Sequence, residues 1–200
     1  MVITYHNDTC FRIGSGKINV LIDPTSEKFK SDITLLTQNK LVNVGKGDVP
    51  ALSSSVSSKG EMVISGGGEY EIQEVLVHGF QTNLDLKSGL ADTMYLVTIE
   101  NVSILFMGNI SAPPSSEIMG KISDIDILFI PVGKTYLDPK SADKLIKQFD
   151  PSITVVYPAK QLASYVDELG KKCEKIDKLV IKKKDIIEMG DKAKLVCIDA

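Results

Sequence analysis

The sequence has few of the residues from which metal sites and disulfide frameworks are built. Only two of its 200 residues are histidines, His6 and His78. A catalytic zinc site needs several imidazole or carboxylate ligands, so histidines alone do not supply one here. The three cysteines, Cys10, Cys173 and Cys197, are far apart, odd in number and outside any CxxC motif. This pattern predicts reduced thiols in a cytoplasmic protein.

Long apolar runs and a strong charge imbalance are absent as well. No stretch approaches the roughly 20 apolar residues that span a bilayer. The N-terminal "MVITYHNDTC" lacks the basic and apolar regions of a signal peptide. The net charge is −3 and the isoelectric point about 5.5. The seven lysines between Lys171 and Lys184 are interrupted by acidic residues and lack interleaved aromatics, which predicts a solvated edge. We therefore expect no membrane association and no nucleic-acid partner.

What the sequence does contain is a β-rich first part. The length suits one domain, residues 1–200. Short runs such as "VITYH", "CFRIG", "INVLID" and "ITLLT" predict successive strands, and a hairpin is predicted to fold at Glu100 and Asn101. The serine-rich "ALSSSVSSKGE" predicts a surface loop.

The last third predicts a βαβ unit. A buried strand, "IDILFIPVG", precedes "DPKSADKLIKQFD", in which Asp138 suits the N-cap and Pro139 the first helical position. One apolar stripe follows at helical spacing: Ala142, Leu145, Ile146 and Phe149. The strand "SITVVYPA", a helix "LASYVDELG" and terminal strands "KLVIKKKDI" and "AKLVCID" complete the prediction. Antiparallel strands followed by a βαβ unit predict two sheets packed face to face, with helices outside.

A series of short motifs runs along the first 160 residues. In order, they are "YHNDTCFRI", "VLIDP", "SDITLLT", "GGGEYEI", "LFMGN" and "DILFIPVG". This series resembles the metallo-β-lactamase superfamily, specifically its UlaG-like branch of metal-dependent hydrolases, and an ordered series is more specific than any single motif. The resemblance implies an α/β fold, the metallo-β-lactamase-like αββα four-layer sandwich. It also implies zinc or another divalent metal at one edge, where strand-end loops converge.

The metal ligands that the resemblance implies are replaced in this chain. The family places His-x-His-x-Asp-His directly after Leu-Leu-Thr, an aspartate in its Gly-Asp motif, and single histidines early and late in the chain. The residues at these positions are Gln38, Lys40, Val42 and Asn43, then Asn109, and finally Asp8 and Tyr157. Amides are weak neutral donors, valine has no donor, and lysine adds positive charge beside a dication.

These replacements predict a vestigial pocket without a metal. We expect its lining to be Asp8, Gln38, Lys40, Asn43, Asn109 and Tyr157. Asp8 is expected to pair with Lys40, and the pocket to hold water or a small anion, or merely to be filled by its own side chains. No catalytic residue, cofactor or metal is predicted.

The function expected from this pattern is that of a non-catalytic homologue with a binding or assembly role. A homo-oligomer and a small-molecule or anion ligand are the expected partners. One alternative is a hydrolase with noncanonical ligands, drawn from Asp8, Asp23, Glu69, Glu71 and Asp92. Against it, Asp23 precedes a proline and is interpreted as a turn residue. A small-molecule sensor is the other alternative.

Overall fold

The computed structural model describes residues 1–16, 18–26, 29–40, 54–57, 60–85, 90–158, 165, 173–190 and 192–198. Two mixed β-sheets and three helices make up this part of the chain. The first strands are β1 (Val2–Asn7), β2 (Cys10–Gly14), β3 (Asn19–Ile22), β4 (Ile33–Leu35), β5 (Gln38–Lys40), β6 (Ser54–Val56), β7 (Met62–Ile64) and β8 (Gly68–Ile72). The later strands are β9 (Val75–Asp85), β10 (Leu90–Ile99), β11 (Val102–Phe106), β12 (Ile127–Pro131), β13 (Ile153–Tyr157), β14 (Glu174–Ile176), β15 (Lys178–Val180) and β16 (Lys194–Ile198). The helices are α1 (Ser116–Met119), α2 (Pro139–Phe149) and α3 (Lys183–Met189).

Sheet A has seven strands in the order β15-β1-β2-β3-β4-β7-β6. Strands β1, β2 and β3 form an antiparallel meander, whereas β3, β4 and β7 are parallel neighbours. Ile3, Ile13 and Val20 lie side by side in register and are fully buried. Because side chains alternate along a strand, this burial fixes which face of sheet A meets the core.

Sheet B has nine strands, in the order β14-β16-β13-β12-β11-β10-β9-β8 with β5 added beside β10. Strands β11, β12, β13 and β16 are parallel, and β8 to β11 are antiparallel. Every residue of β12 and of β13 is buried. Continuous burial of this kind is typical of strands that are covered on both faces.

The apolar residues form two clusters, one between the sheets and one outside sheet B. Phe11 lies in the inter-sheet cluster, with ring centroids of Phe129 and Tyr157 at 4.7 and 5.2 Å. In the outer cluster, Ala142 and Leu145 of α2 pack with residues of sheet B. This arrangement confirms the predicted two-sheet α/β sandwich.

The predicted helix and hairpin are also confirmed. The Asp138 carboxylate accepts hydrogen bonds from the backbone N–H groups of Lys140 and Ser141, each at 3.0 Å, so it caps α2 as expected. Strands β10 and β11 are joined at Glu100 and Asn101, whose φ angles are 52° and 61°. Two residues with positive φ are the requirement of a tight two-residue hairpin turn.

Two strand and loop predictions are wrong. The strand predicted in "KLVIKKKDI" ends at Val180, and α3 begins at Lys183. The Asp185 side chain accepts from the Lys182 backbone N–H at 2.8 Å, a contact that starts the helix. The serine-rich loop contains β6, paired with β7. The predicted helix in "LASYVDELG" lies outside the described residues except for Tyr165.

The expectation of three reduced thiols is wrong for two of the cysteines. Cys173 and Cys197 form a disulfide, with Cα atoms 5.8 Å apart. Cys173 directly precedes β14, and Cys197 lies on its partner strand β16, so folding brings the two sulfurs together. Cys10 is free and buried. Within the described ranges, no helix has the length and apolarity to cross a bilayer.

Candidate functional site

The ends of several strands bring polar side chains together at one end of the sandwich, which we call the site end. Asp23 follows β3 and Thr37 follows β4; these strands are parallel neighbours, so the two residues are adjacent. In sheet B, Asn109 follows β11 and Tyr157 ends β13, on either side of β12. Asp8 lies in the turn between β1 and β2 at the same end.

A hydrogen-bonded pair, Asp23 and Thr37, joins the ends of β3 and β4. The Asp23 carboxylate accepts from the Thr37 backbone N–H at 2.7 Å and from the Thr37 hydroxyl at 2.5 Å. The Thr9 side chain also hydrogen-bonds to this carboxylate. Thr37 is fully buried, so its hydroxyl depends on protein partners rather than on solvent.

Asn109 extends this contact from sheet A to sheet B. Its Nδ2 donates to the Thr37 Oγ1 over 3.4 Å. The Thr37 hydroxyl therefore accepts from Asn109 and donates to Asp23, which makes a relay of three side chains. The neighbouring Gly108 has φ +66°, and a Cβ placed there would lie 2.6 Å from the Thr37 Cβ. Only glycine lets the loop after β11 approach Thr37 this closely.

Two phenols complete the wall of the site end. The Tyr157 hydroxyl donates to the Gly108 carbonyl at 2.7 Å. Burial raises the pKa of the Tyr157 phenol well above its usual value, and the charge of Asp23 adds to this. Burial also raises the pKa of Tyr136, with further contributions from the charges of Asp8 and Asp23. Both phenols are therefore neutral hydrogen-bond donors at physiological pH.

The pKa of the Asp23 carboxyl is also raised at this end. Burial raises its pKa from 3.8 to about 6, although the hydrogen bonds from Thr37 and Thr9 act in the opposite direction. A carboxylate with such a pKa can act as a general base when it reaches a substrate proton. Here the donors from Thr37 and Thr9 already occupy most of its acceptor sites. Its geometry fits a structural role better.

The six residues of the predicted vestigial pocket do not all lie in one place in the described structure. Asp8, Asn109 and Tyr157 lie at the site end, around Asp23 and Thr37. The proposed grouping of six residues as one pocket stays a prediction.

The other three predicted pocket residues follow Thr37. Gln38 is exposed, and its Nε2 donates to the Asp92 carboxylate at 2.9 Å. The backbone of Lys40 pairs with Leu90, but its side chain is outside the described atoms, so the expected ion pair with Asp8 stays a prediction. Asn43, like Val42, lies outside the described residues.

The segment that resembles the start of the metal-ligand motif is a β-strand in this chain. After Thr37 the chain leaves sheet A, and β5 pairs antiparallel with Leu90–Asp92 of β10. The Thr93 N–H donates to the Thr37 carbonyl at 2.8 Å, where this pairing begins. The backbone at Gln38–Lys40 is therefore fixed by a ladder on sheet B.

The donor set of the site end does not fit zinc or another divalent metal. Among the residues that the structure describes, no three side chains of His, Cys, Asp or Glu come together. The groups around Thr37 are an amide, hydroxyls, phenols and two carboxylates, of which Asp23 is already hydrogen-bonded and Asp8 lies in the turn between β1 and β2. Such metals are held by several imidazole, thiolate or carboxylate ligands, so these residues support no metal-dependent step.

Sequence reasoning missed Asp23, Thr37, Thr9 and Tyr136 as members of this cluster. Asp23 was expected only to form a turn, and its φ of +46° agrees with a turn, but its carboxylate also binds Thr37. A usable signal exists in "VLIDP" and "SDITLLT", where an apolar run ends in a polar residue. Thr9 and Tyr136 carry no comparable signal.

Comparison with known proteins gives a family match over most of the chain. A family model described as the Beta-lactamase superfamily domain matches residues 2–159. A metal-dependent hydrolase of Listeria welshimeri is 22% identical, over 71% of this chain and 78% of the relative. Its counterpart from Listeria innocua is 21% identical with the same coverage.

Solved structures share the fold at lower identity. A metallo-β-lactamase superfamily protein from Thermotoga maritima has a TM-score of 0.74 and 17% identity, covering 98% of this chain and 97% of that chain. A metallo hydrolase from Ignicoccus hospitalis has a TM-score of 0.59 and 14% identity, covering 99% and 94%. At these identities the likeness shows a common fold and nothing about chemistry.

Proposed function

The chain belongs to the β-lactamase superfamily, and we propose that it is a non-catalytic homologue with a binding or assembly role. The observation that carries this proposal is the relay from Asn109 through Thr37 to Asp23. Asn109 stands where the resemblance implies a metal-binding aspartate. In this chain its amide donates a hydrogen bond to the Thr37 hydroxyl instead of offering negative charge to a cation.

The second support is the path of the chain after Thr37. Strand β5 is held against β10, and the exposed Gln38 side chain is engaged by Asp92 at the surface. A metal site needs side chains that converge and keep an open position for water. Strand β5 lies in a regular ladder and its first side chain, Gln38, lies at the surface, so it does not provide that arrangement.

The alternative hydrolase with carboxylate ligands has less support. Three of its five candidate residues are engaged with other partners: Asp23 with Thr37, Glu69 with His78 at 3.5 Å, and Asp92 with Gln38 and Asn83. Glu69 and Glu71 are exposed on β8, the edge strand of sheet B. Carboxylates in these places do not form one cluster.

Metal content of the full chain tests the proposal directly. The protein is purified without chelators, and zinc, manganese and iron are measured by elemental analysis. We expect less than about a tenth of an equivalent of each, because the described donors are too few and too neutral. The Listeria welshimeri relative, prepared in parallel, serves as the reference. A full equivalent of metal that is lost together with Asp8 or Asp23 would restore the hydrolase alternative.

The compartment is part of the same proposal. We expect the cytoplasm, but the Cys173–Cys197 disulfide weakens that expectation because disulfides are rare there. Trapping free thiols at the moment of cell lysis tests it. When the trapped protein is unfolded in the presence of the alkylating reagent, one alkylated thiol, Cys10, would indicate an oxidising compartment, and three would indicate the cytoplasm.

A further inference from the structure

A groove lies at the opposite end of the sandwich from Asp23 and Thr37, and we call this the groove end. Its volume is about 430 Å³, and its lining comes from the turns β2–β3, β8–β9 and β10–β11. The lining includes the apolar Val75, Leu76 and Ile99 and the acidic Glu74 and Glu100. Within β10, Thr93 is hydrogen-bonded to Thr37 at the site end and Ile99 lines the groove, so most of the length of this strand separates the two ends.

The groove presents apolar surface beside negative charge. Leu76 is 50% exposed and lies opposite Glu71, which is also exposed, in the β8–β9 ladder. Glu74 is exposed in the turn that joins these strands. A surface of this kind is complementary to a segment that has an apolar centre and a basic neighbour.

Helix α3 carries such a segment. Lys184, Ile187 and Glu188 are exposed at i, i+3 and i+4, so they form one stripe along the helix. Ile187 is 69% exposed, the most exposed of the large apolar side chains that the structure describes. Glu188 shares the stripe, so the contact must be directional, with Lys184 rather than Glu188 facing the glutamates of the groove.

The groove and α3 occupy the same end of the molecule. The Glu100 carboxylate contacts the amino group of Met1 at 3.0 Å. The Met1 carbonyl in turn accepts from the Ile181 N–H at 3.2 Å, two residues before α3 begins. Met1 therefore contacts both the groove residue Glu100 and the segment that leads into α3.

We propose that two copies of the chain pair about a twofold axis at the groove end, with α3 of each copy in the groove of the other. Ile187 packs on the partner's Leu76, and Lys184 faces the partner's Glu74. This proposal specifies the assembly role given above and therefore rests on it.

A second copy is the occupant that the surface itself favours. The chain carries both the acidic groove and the stripe that contains Lys184 and Ile187, and a twofold axis lets each copy use both, which doubles the contact. Pairing of two β8 edges is disfavoured instead, because Glu69 and Glu71 would bring like charges together across the new ladder.

Charge reversal and its complementation test the pairing. Lys184→Glu and Glu74→Lys are made as separate variants of the full chain, and their masses are followed by sedimentation over a concentration series. Each variant alone places like charges in both contacts, so its dimer Kd should rise at least about tenfold. Mixing the two variants restores opposite charges in both contacts, so a heterodimer should form with nearly the original Kd.

The controls separate this contact from general charge effects. Lys144→Glu reverses an exposed charge on α2 and should leave the dimer Kd unchanged. Circular dichroism of each variant establishes that it is folded. A parent chain that is monomeric at every concentration overturns the proposal. So does a dimer whose Kd changes with neither charge reversal, or a mixture of the two variants that forms no heterodimer.

The outcome is independent of the metal measurement. A chain that binds no metal and stays monomeric overturns the dimer while leaving the non-catalytic function in place. A chain that binds a full equivalent of metal and yet shows the charge complementation overturns the function while keeping the dimer.

Discussion

The two ends of the β-sandwich use their polar residues in opposite ways. At the site end, Asn109, Thr37 and Asp23 satisfy one another, and Tyr157 donates to a backbone carbonyl. At the groove end, Leu76 and Ile187 are exposed, and charged side chains of both signs lie near them. Among the described residues, the polar groups of the site end are thus satisfied by contacts within the chain, whereas the groove end has apolar surface that no described residue covers.

This contrast matters because the resemblance to the metallo-β-lactamase superfamily predicts a functional site at the site end. Strand-end loops are where this fold ordinarily presents functional groups, since the scaffold holds them while sequence changes. Under the proposed function those groups are structural in this chain, so substitutions there should change stability. Substitutions at the groove end should change association and leave stability nearly constant.

The largest expected effect comes from adding one methyl group at the site end. Gly108→Ala places a Cβ 2.6 Å from the Thr37 Cβ in a backbone with φ +66°. Overpacking and left-handed strain together should lower the free energy of unfolding by about 3–5 kcal/mol. Gly16→Ala is the matched control in the β2–β3 turn, because its φ is +72° and no atom lies within 4 Å of the added Cβ. Gly16→Ala should lower the free energy of unfolding by only about 1 kcal/mol.

Urea denaturation of both variants makes this comparison. Similar losses at Gly108 and Gly16 would mean that the loop after β11 can move away from Thr37. In that case the relay would not be the tight structure described here.

The next effect is a pH dependence that belongs to Asp23. Its folded pKa is raised to about 6, while the unfolded chain keeps the ordinary value of 3.8. The folded state therefore binds this proton more tightly, so the contribution to stability is greatest below pH 3.8 and is lost as pH rises through about 6. Asp23 should thus make the unfolding free energy fall by at most about 3 kcal/mol across that window.

Asp23→Asn removes this titration and isolates the contribution of the one group. The measurement is the unfolding free energy against pH for the parent chain and the variant. Parallel curves between pH 4 and 7 would contradict the raised pKa, whereas a gap that changes by about 1 kcal/mol or more would support it.

Much of the fold could be predicted because its signals are local. Asp138 and Pro139 mark the start of α2, and the apolar stripe that follows predicts the face that packs on sheet B. The hairpin at Glu100 and Asn101 follows from two apolar runs with a polar pair between them. Helix α3 was missed because "KLVIKKKD" begins with a real strand, so the strand pattern was extended too far. The helix is started by a side-chain cap, in which Asp185 accepts from the Lys182 N–H, and the apolar pattern does not reveal it.

The candidate site could be predicted only in part because its contacts are long-range. Alignment of motifs marked Asn109 and Tyr157, but no pattern in the sequence pairs Asn109 with Thr37 across 72 positions. Gln38 was expected to line the pocket; in the structure β5 joins sheet B, and the exposed Gln38 side chain donates to Asp92. Which way a side chain faces depends on which sheet its strand joins, and this is decided by tertiary structure.

Removing a single polar contact at either end should have a smaller effect on the unfolding free energy. Tyr157→Phe leaves the buried Gly108 carbonyl without its donor and should lower the unfolding free energy by about 1–3 kcal/mol. At the groove end, Glu100→Gln removes the ion pair between the partly exposed Glu100 carboxylate and the amino group of the buried Met1, and should change the unfolding free energy by about 1 kcal/mol or less. Thermal and urea unfolding of both variants gives the ranking, and a larger loss for Glu100→Gln would reverse the assignment of the two ends.

The smallest effect on folding is expected where the effect on association is largest. Leu76→Ser shortens a side chain that is 50% exposed, so the unfolding free energy of dilute protein should change by less than about 0.5 kcal/mol. In the proposed dimer the same side chain packs on the partner's Ile187, and its loss should weaken the dimer Kd at least about tenfold. Gln38→Ser is the matched control, since this side chain is also exposed but lies at the site end. Its Kd should equal that of the parent chain, and a weaker dimer for Gln38→Ser with an unchanged one for Leu76→Ser would place the interface at the site end instead.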